Sequence, residues 1–293
     1  MGHNSSAYVH TVTQALELAI ADREAYMADP DFVDVPIKGL LNPAYAAERR
    51  QAMTPGRAFG QMPSAGNPYS YENRLPGKAV GTTGAVADMT AARGRTLFST
   101  TEEELTLGKD TTYLTVVDQF GNAVSLTPSD FPESPMIPGT GLTLGVRMTQ
   151  FRLDPEHPAA LVPGKRPRIT PNPGMVFKDG EFYMSYGTPG GDMQTQAMVQ
   201  VFLNLFVFGM DPQEAVDAPR FKTVNFPDSF APHDYRPGTI ELEQSLYVAV
   251  GEDLKAMGYT VIEEPEWENS FGGVCLIIRD PETGHLIGAA DPR

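Results

Sequence analysis

Apolar positions along the chain follow two different spacings, and the change from one to the other divides the sequence. Over 7–27 they recur close to every 3.6 residues, which predicts a helix with one buried face. Pro43 stands where a first helical residue would, and 44–53 continues mostly in residues that favour a helix. Three more helices are predicted at 194–208, 212–218 and 245–257.

From Thr111 onward, short apolar runs are separated by turn residues, and such pairs of runs predict antiparallel hairpins. The predicted strand pairs are 112–117 with 123–126, 175–177 with 182–186, and 274–278 with 286–290. Because predicted helices lie between these hairpins in the chain, we expect a layered α+β fold with helices packed on antiparallel sheets.

Between these two parts, glycine and proline interrupt every pattern from 54 to 110. Loops of this length within a compact domain are usually functional or disordered. We therefore expect a long irregular or mobile segment that ends just before Thr111.

The charge balance excludes one class of partner. The 293 residues include 22 Lys and Arg and 37 Asp and Glu, which gives a formal net charge of −15. A chain this acidic repels phosphate backbones, and no cluster of basic residues offsets that repulsion. No nucleic-acid partner is therefore expected.

Membrane and metal sites are not expected either. The longest apolar run, 201–210, is half the length of a membrane-spanning helix. The five histidines are scattered without the spacing of metal ligands, so we expect no metal site and no cofactor. Residues 1–5 lack the pattern of a signal peptide, which leaves a cytoplasmic or a periplasmic location open.

The first candidate for chemistry is Thr111, a hydroxyl residue at the start of a predicted strand. If the bond between Asp110 and Thr111 were cut, Thr111 would carry both a hydroxyl and a free α-amine. That amine, with a pKa near ~8, could act as the base that activates the hydroxyl as a nucleophile. Two threonines at a strand start are also what sheet packing alone favours, so the dipeptide leaves both interpretations open.

The second candidate is the run Gly-Thr-Pro-Gly-Gly-Asp at 187–192, between a predicted strand and a predicted helix. Because Gly190 and Gly191 lack a Cβ, their N–H groups can approach a reacting centre. A helix N-terminus also favours negative charge at that point, and two such donors form an oxyanion hole. An ordinary glycine-rich turn capped by Asp192 would have the same sequence.

Both segments together, in this order, resemble the γ-glutamyltranspeptidases, a family of N-terminal-nucleophile hydrolases. The resemblance covers nearly the whole chain. Segments before Thr111 resemble the end of that family's large subunit, and those from Thr111 onward resemble its small subunit. The matching segments are 29–32, 39–45, 111–112, 116–118, 121–124, 163–167, 187–192, 214–221 and 288–293.

The resemblance implies a four-layer αββα sandwich, made from a precursor that cuts itself before the catalytic threonine. Here the cut would fall between Asp110 and Thr111. Residues 1–110 would then be the C-terminal end of the large-subunit region, and 111–293 the small, catalytic subunit region. Thr111 would attack an amide carbonyl to form an acyl-enzyme, while Gly190 and Gly191 hold the oxyanion. Ser129, in place of the family's usual threonine, would support the nucleophile.

Several positions depart from the residues with which γ-glutamyl enzymes of this family hold the glutamyl group. Phe131 replaces an asparagine, Arg147 a glutamine, and Gln150 an aspartate that would pair with the α-ammonium group. Ile169 and Thr170 stand where the family has paired serines. Since guanidinium groups pair with carboxylates, we expect an acyl amide without that ammonium group and with a carboxylate that faces Arg147. The alternative for Arg147 is a structural ion pair.

The resemblance also implies that the chain begins near the last third of the family's large subunit. We therefore expect a partner, either the missing large-subunit half or a chain that supplies it, and no activity of this chain alone. The substrate would be a small-molecule amide. Two alternatives to a γ-glutamyl hydrolase or transferase stay open: an acylase or amidase with another acyl preference, and an inactive fragment that acts as a partner subunit.

Overall fold

The computed structural model describes residues 1–72, 111–129, 136–143 and 145–293. Most of the predicted irregular segment, with Asp110 at its end, lies outside the described residues, and so does Phe131. The part of that segment that is described, 54–72, is irregular as predicted and contains only a short 3-10 helix, Pro68–Tyr71. It is held in place by hydrogen bonds, for example from Met62 N to Tyr235 Oη at 2.8 Å.

The first predicted helix is confirmed as α1, Ser6–Tyr26, which begins where the Ser5 hydroxyl accepts a hydrogen bond from Tyr8 N. Its buried apolar positions pack on a three-stranded sheet and on α6, Gln244–Ala256. Two shorter helices follow α1: α2, Ile37–Leu40, and α3, Pro43–Arg50, with the predicted proline in its first position.

The three-stranded sheet was not predicted. Its strands are β7, Phe221–Thr223, β8, Thr239–Glu243, and β9, Thr260–Glu264, in the order β7-β8-β9. β8 is antiparallel to β7 but parallel to β9, and α6 makes the crossover that a parallel pair requires. All five residues of β8 are buried, including two glutamates, so it shows no alternation of apolar and polar positions.

A second, antiparallel sheet carries the candidate site. Its order is β11-β10-β6-β5, with β5 at Gly174–Lys178, β6 at Glu181–Gly187, β10 at Cys275–Arg279 and β11 at Leu286–Ala290. Two predicted hairpins, β5-β6 and β10-β11, are thus confirmed. Helices α4, Met193–Phe206, and α5, Pro212–Asp217, cover one face, where Met184 and Leu276 join their apolar core.

The opposite face of that sheet is covered by the predicted hairpin of β1, Leu114–Val117, and β2, Ala123–Leu126. Because successive side chains of a strand point to opposite faces, Ser185 lies opposite Met184 and meets the hairpin. Its hydroxyl accepts a hydrogen bond from Thr115 Oγ1 at 2.7 Å. Helices, sheet and hairpin form three successive layers, which confirms the predicted α+β class.

The outer face of the hairpin is apolar and exposed. Leu114 pairs with Leu126 and Val116 with Val124 across the two strands, and these four side chains are 42 to 56% exposed. No helix among the described residues covers them, so the expected fourth layer does not come from this part of the chain.

A further small hairpin is formed by β3, Met136–Ile137, and β4, Leu142–Thr143. None of the helices in the described part of the chain combines the length and the apolar composition that a membrane span requires.

The contact between α1 and β7 contains a buried acid that gives a testable pH dependence. Glu17 is fully buried and accepts a hydrogen bond from Thr223 Oγ1 at 2.8 Å. Burial raises the pKa of Glu17 to about 7, against the lowering effect of that hydrogen bond. Because the folded-state pKa is raised, this contribution to stability is present below pH ~4.5 and is lost as the pH rises through about 7.

We expect Glu17→Gln to remove this pH dependence, since an amide cannot ionise. The free energy of unfolding of the variant should exceed that of the wild type by up to about 3 kcal/mol above pH 7, and by much less at pH 4.5. Urea unfolding at both pH values measures the difference. Glu252→Gln, on the exposed face of α6, is the control. Parallel pH profiles for wild type and Glu17→Gln would contradict the assignment.

Candidate active site

Thr111 lies three residues before β1, where the strand extends into a single bridge with Ser129. The backbone holds this approach, because Thr112 N donates to the carbonyl of Pro128 at 3.0 Å. As a result, Thr111 Oγ1 is 3.0 Å from Ser129 Oγ, within hydrogen-bond distance. The structure therefore brings together the two hydroxyls that the resemblance paired, eighteen residues apart in the sequence.

Tyr113 connects this strand to the glycine-rich run. It is buried, and its hydroxyl lies 2.7 Å from Ser125 Oγ and 3.2 Å from Ser185 Oγ. The ring lies directly on Gly187, where any Cβ would overlap it. Gly187 is needed for this close approach. Tyr113 thus fixes the end of β6, from which the glycine-rich run leaves, against the strand that begins at Thr111.

The glycine-rich run has a backbone that only glycine adopts readily at two successive positions. Gly190 has φ +120° and Gly191 has φ +55°. Their carbonyls accept from Met193 N and Gln194 N, which starts α4. Within the described residues neither N–H of the two glycines donates a hydrogen bond. Both donors stand at the N-terminus of α4, where the helix dipole favours an anion.

The turn before β10 also packs against the glycine-rich run. Gly273 N donates to Thr188 Oγ1 at 2.7 Å. Gly272, with φ +84°, approaches so closely that a Cβ there would lie 2.6 Å from Thr188 Oγ1. The turn before β10 therefore limits the movement of the two candidate oxyanion donors.

Arg147, Gln150 and Thr170 lie together, as the sequence comparison implied. Arg147 and Gln150 share the 3-10 helix Arg147–Gln150, and Arg147 Nη1 is 3.4 Å from Thr170 Oγ1. Gln150 is fully buried. In the amide orientation that gives both of its polar atoms a partner, its oxygen accepts from Arg147 Nη1 at 3.3 Å and its nitrogen donates to the carbonyl of Arg168. Buried on one side, the guanidinium has no carboxylate partner among the described residues.

Phe230 joins this group to the glycine-rich run. The Arg147 guanidinium lies 5.9 Å from the centre of the Phe230 ring. The same ring would meet a Cβ on Gly191 at 3.4 Å. Phe230 thus lies close both to the glycine-rich run and to the guanidinium, and it connects the candidate oxyanion donors to the Arg147 side chain.

Comparison with known proteins gives the family. The sequence model of the γ-glutamyltranspeptidases matches residues 1–293, the whole chain. The chain belongs to the γ-glutamyltranspeptidase family. The fold agrees, since the cephalosporin acylase from Bacillus halodurans superposes with a TM-score of 0.75 over 99% of this chain and 44% of that one, at 27% identity.

Two curated relatives carry different names. The acylase ACY 1 proenzyme of Pseudomonas sp. strain SE83 is 31% identical over 293 residues, which is 99% of this chain and 43% of the proenzyme. The glutathione hydrolase proenzyme of Bacillus subtilis strain 168 is 29% identical over 284 residues, 96% of this chain and 42% of that proenzyme. The chain thus spans less than half the length of these members of the γ-glutamyltranspeptidase family.

Three residues that shape the site in this member of the γ-glutamyltranspeptidase family could not be identified from its sequence. Tyr113, Phe230 and Gly272 contact the site residues, but each does so through tertiary packing. One of these contacts has a signal in the sequence: Gly187 ends a predicted strand, and a glycine there indicates that another group, here the Tyr113 ring, lies close to the backbone. Ile169, beside Thr170, is exposed. Among the described residues no group of three His, Cys, Asp or Glu side chains is placed to hold a metal ion.

Proposed function

We propose that this protein is a self-processing amidase or acyltransferase whose nucleophile is Thr111, released by a cut between Asp110 and Thr111. The observation that carries the proposal is the 3.0 Å contact between Thr111 Oγ1 and Ser129 Oγ, which orients the hydroxyl beside a strand start. Family membership supports it, because relatives of the chain are named hydrolase and acylase proenzymes.

The chemistry follows from these groups. After the cut, the α-amine of Thr111 takes the proton of its own hydroxyl as Oγ1 attacks the amide carbonyl. The N–H groups of Gly190 and Gly191 donate to the oxygen that becomes negative. Collapse expels the amine, which takes up the proton, and leaves an ester on Thr111. Water then releases the acid, or a second amine takes the acyl group.

A solved relative supports the position of the cut. A γ-glutamyltranspeptidase chain from Pseudomonas nitroreducens matches 62% of this chain and 94% of its own length, at 28% identity and a TM-score of 0.51. That fraction of 293 residues is about 182 residues, and 111–293 contains 183. The stretch matched by the relative's separate chain is therefore about as long as the product 111–293 that the proposed cut would give.

The group of Arg147, Gln150 and Thr170, called the Arg147 pocket below, favours an acyl group that carries a carboxylate but no α-ammonium group. Arg147 supplies a guanidinium without a carboxylate partner among the described residues, and Gln150 supplies a neutral amide where an ammonium group would need an acid. Thr170 adds a hydroxyl beside them.

Two matched substrates test this specificity. Glutaryl-p-nitroanilide is γ-glutamyl-p-nitroanilide without the α-ammonium group. We expect kcat/KM at least about tenfold higher for the glutaryl compound, since a charge-assisted hydrogen bond is retained and an uncompensated ammonium is absent. Arg147→Gln should reduce kcat/KM for the glutaryl compound by about tenfold to hundredfold, while Arg50→Gln on exposed α3 should not. Efficient release of p-nitroaniline from the γ-glutamyl compound by the wild type would contradict the proposal.

We further propose that a larger partner completes the enzyme. Exposed aliphatic side chains on the outer face of the β1-β2 hairpin need a cover, and relatives more than twice as long as this chain provide the length for it. The purified chain alone should then show no amidase turnover. Turnover by the isolated 293-residue chain would contradict this part of the proposal.

A further inference from the structure

A buried carboxylate on α1, outside the site described above, forms ion pairs with three arginines. Glu24 Oε1 lies 3.0 Å from Arg23 Nη2 and 2.7 Å from Arg168 Nη1, and Glu24 Oε2 lies 2.8 Å from Arg152 Nη2. The side chains of Glu24, Arg152 and Arg168 are each less than a tenth exposed. We name these four residues the Glu24 cluster.

The cluster holds its charge at ordinary pH. Burial raises the pKa of Glu24, but the guanidinium groups of Arg168, Arg23 and Arg152 outweigh it and bring the pKa down to about 2. Glu24 is therefore ionised wherever the protein would be assayed. A single carboxylate that neutralises several buried guanidinium groups keeps their segments together, because those groups would otherwise repel one another.

Two arginines of the cluster lie close in sequence to residues of the Arg147 pocket. Arg152 is two residues beyond Gln150, and Arg168 is two residues before Thr170. Arg152 Nη1 also donates to the carbonyl of Asp228 at 3.2 Å, and Arg168 Nη2 donates to Ser229 Oγ at 3.1 Å. Gln150 and Thr170 thus each lie two residues along the chain from an arginine that pairs with Glu24. These short connections fix both residues of the Arg147 pocket relative to Glu24.

The third arginine leads to the candidate oxyanion donors. Arg23 Nη1 pairs with the carboxylate of Asp192, the residue after Gly191. Asp192 also accepts from Ser229 N and from Ser229 Oγ, both at 2.7 Å. Ser229 precedes Phe230, whose ring meets Gly191. The glycine-rich run and Phe230 are therefore joined to the cluster through the carboxylate of Asp192.

We propose that Glu24 is a positioning residue for this site, one that touches no substrate but sets the relative placement of the oxyanion donors and the Arg147 pocket. The inference rests on the proposed function. α1 precedes Thr111, whereas Arg152, Arg168 and Asp192 follow it, so the cluster joins the two products of the cut. Without the Glu24 charge, Arg152 and Arg168 lose the carboxylate with which they pair. Their mutual repulsion, together with that of Arg23, then moves the segments that they hold apart.

Glu24→Gln in the enzyme assembled with its larger partner tests the proposal, since the amide keeps the shape and removes the charge. We expect kcat for glutaryl-p-nitroanilide to fall by about tenfold to hundredfold and KM to rise, because both donors and pocket are displaced. Glu24→Asp should recover part of kcat. The control is Glu252→Gln, which removes an exposed carboxylate 2.7 Å from Lys255 and should change neither constant. Wild-type kcat in folded Glu24→Gln would overturn the proposal.

A charge-balanced variant separates positioning from stability. Replacing a buried ion pair by uncharged side chains often leaves stability unchanged, so Glu24→Gln with Arg168→Met should regain the urea midpoint of the wild type. If Glu24 is a positioning residue, kcat stays low in this double variant. Recovery of kcat together with the midpoint would show a purely structural role and would overturn the proposal.

Failure of the proposed function can be distinguished from failure of the positioning role of Glu24. A wild type that neither cuts itself nor releases p-nitroaniline when it is assembled with its larger partner contradicts the proposed function, and the positioning role is then tested by crystal structures alone. A shift of the Gly190–Gly191 backbone by about 1 Å or more in Glu24→Gln supports it. Unchanged placement of that backbone in Glu24→Gln overturns it.

Discussion

Thr111→Ala is expected to reduce amidase turnover of the intact assembly by on the order of 10⁴-fold or more, because it removes the only proposed nucleophile. The same substitution should leave the precursor uncut. The cut and the later turnover use one hydroxyl, which the structure places 3.0 Å from Ser129 Oγ. Turnover of an acyl p-nitroanilide and the mass of the protein measure the two effects.

Thr112→Ala is the matched control for this substitution. Thr112 is the exposed neighbour of Thr111, and its bond to Pro128 is made by the backbone N–H, which alanine keeps. Thr111→Ser should retain part of the turnover, since serine supplies a hydroxyl on the same α-amine. If Thr111→Ala kept turnover near the wild-type value, Thr111 would not be the nucleophile.

The second large effect is expected at Gly190. Its φ of +120° is a conformation that alanine does not adopt without strain, and a Cβ would meet Met193 Cβ at 3.4 Å and Gly272 Cα at 3.6 Å. Gly190→Ala should therefore turn the N–H away from the oxyanion. Loss of one oxyanion donor typically costs about 10² to 10³ in kcat, so we expect a fall of that size with a much smaller change in KM.

Gly180→Ala controls for backbone strain alone. Gly180 has φ +85° in the turn between β5 and β6, and a Cβ there meets nothing within 4 Å. Both variants carry a strained alanine, but only Gly190→Ala lies at the site. Equal losses of kcat in the two variants would show that strain, and not a lost oxyanion donor, is responsible.

The local elements of the fold could be predicted from the sequence because their signals are local. The β10-β11 and β1-β2 hairpins were found from apolar runs flanking a turn, and β2 and β11 have the predicted bounds. The sheet β7-β8-β9 was missed for two physical reasons. β8 is buried on both faces with Glu241 and Glu243 inside, paired to cations. Its parallel pairing with β9 depends on α6, an element between them.

The residues of the candidate site likewise fall into those that the sequence could predict and those that only the fold shows. Thr111 and the Gly190–Gly191 pair stand out at the ends of strands, and the resemblance supplied Ser129, Arg147, Gln150 and Thr170. Glu24 and Phe230 could not be predicted, because nothing near them in the sequence marks their role. In the sequence, Glu24 is one more polar residue of α1, and only the fold shows three guanidinium groups around it, two of them buried. Residues that position a site depend on contacts far apart in the chain.

The central claim, that Thr111 becomes an N-terminal nucleophile by a cut before it, is tested most directly by mass spectrometry of the intact precursor. The account predicts two species for the wild type, one of them with the mass of 111–293 and with Thr111 as its first residue. It predicts a single uncut species for Thr111→Ala. A wild type that stays in one piece under conditions where the protein is folded and assembled, or a cut at another bond, would contradict the claim.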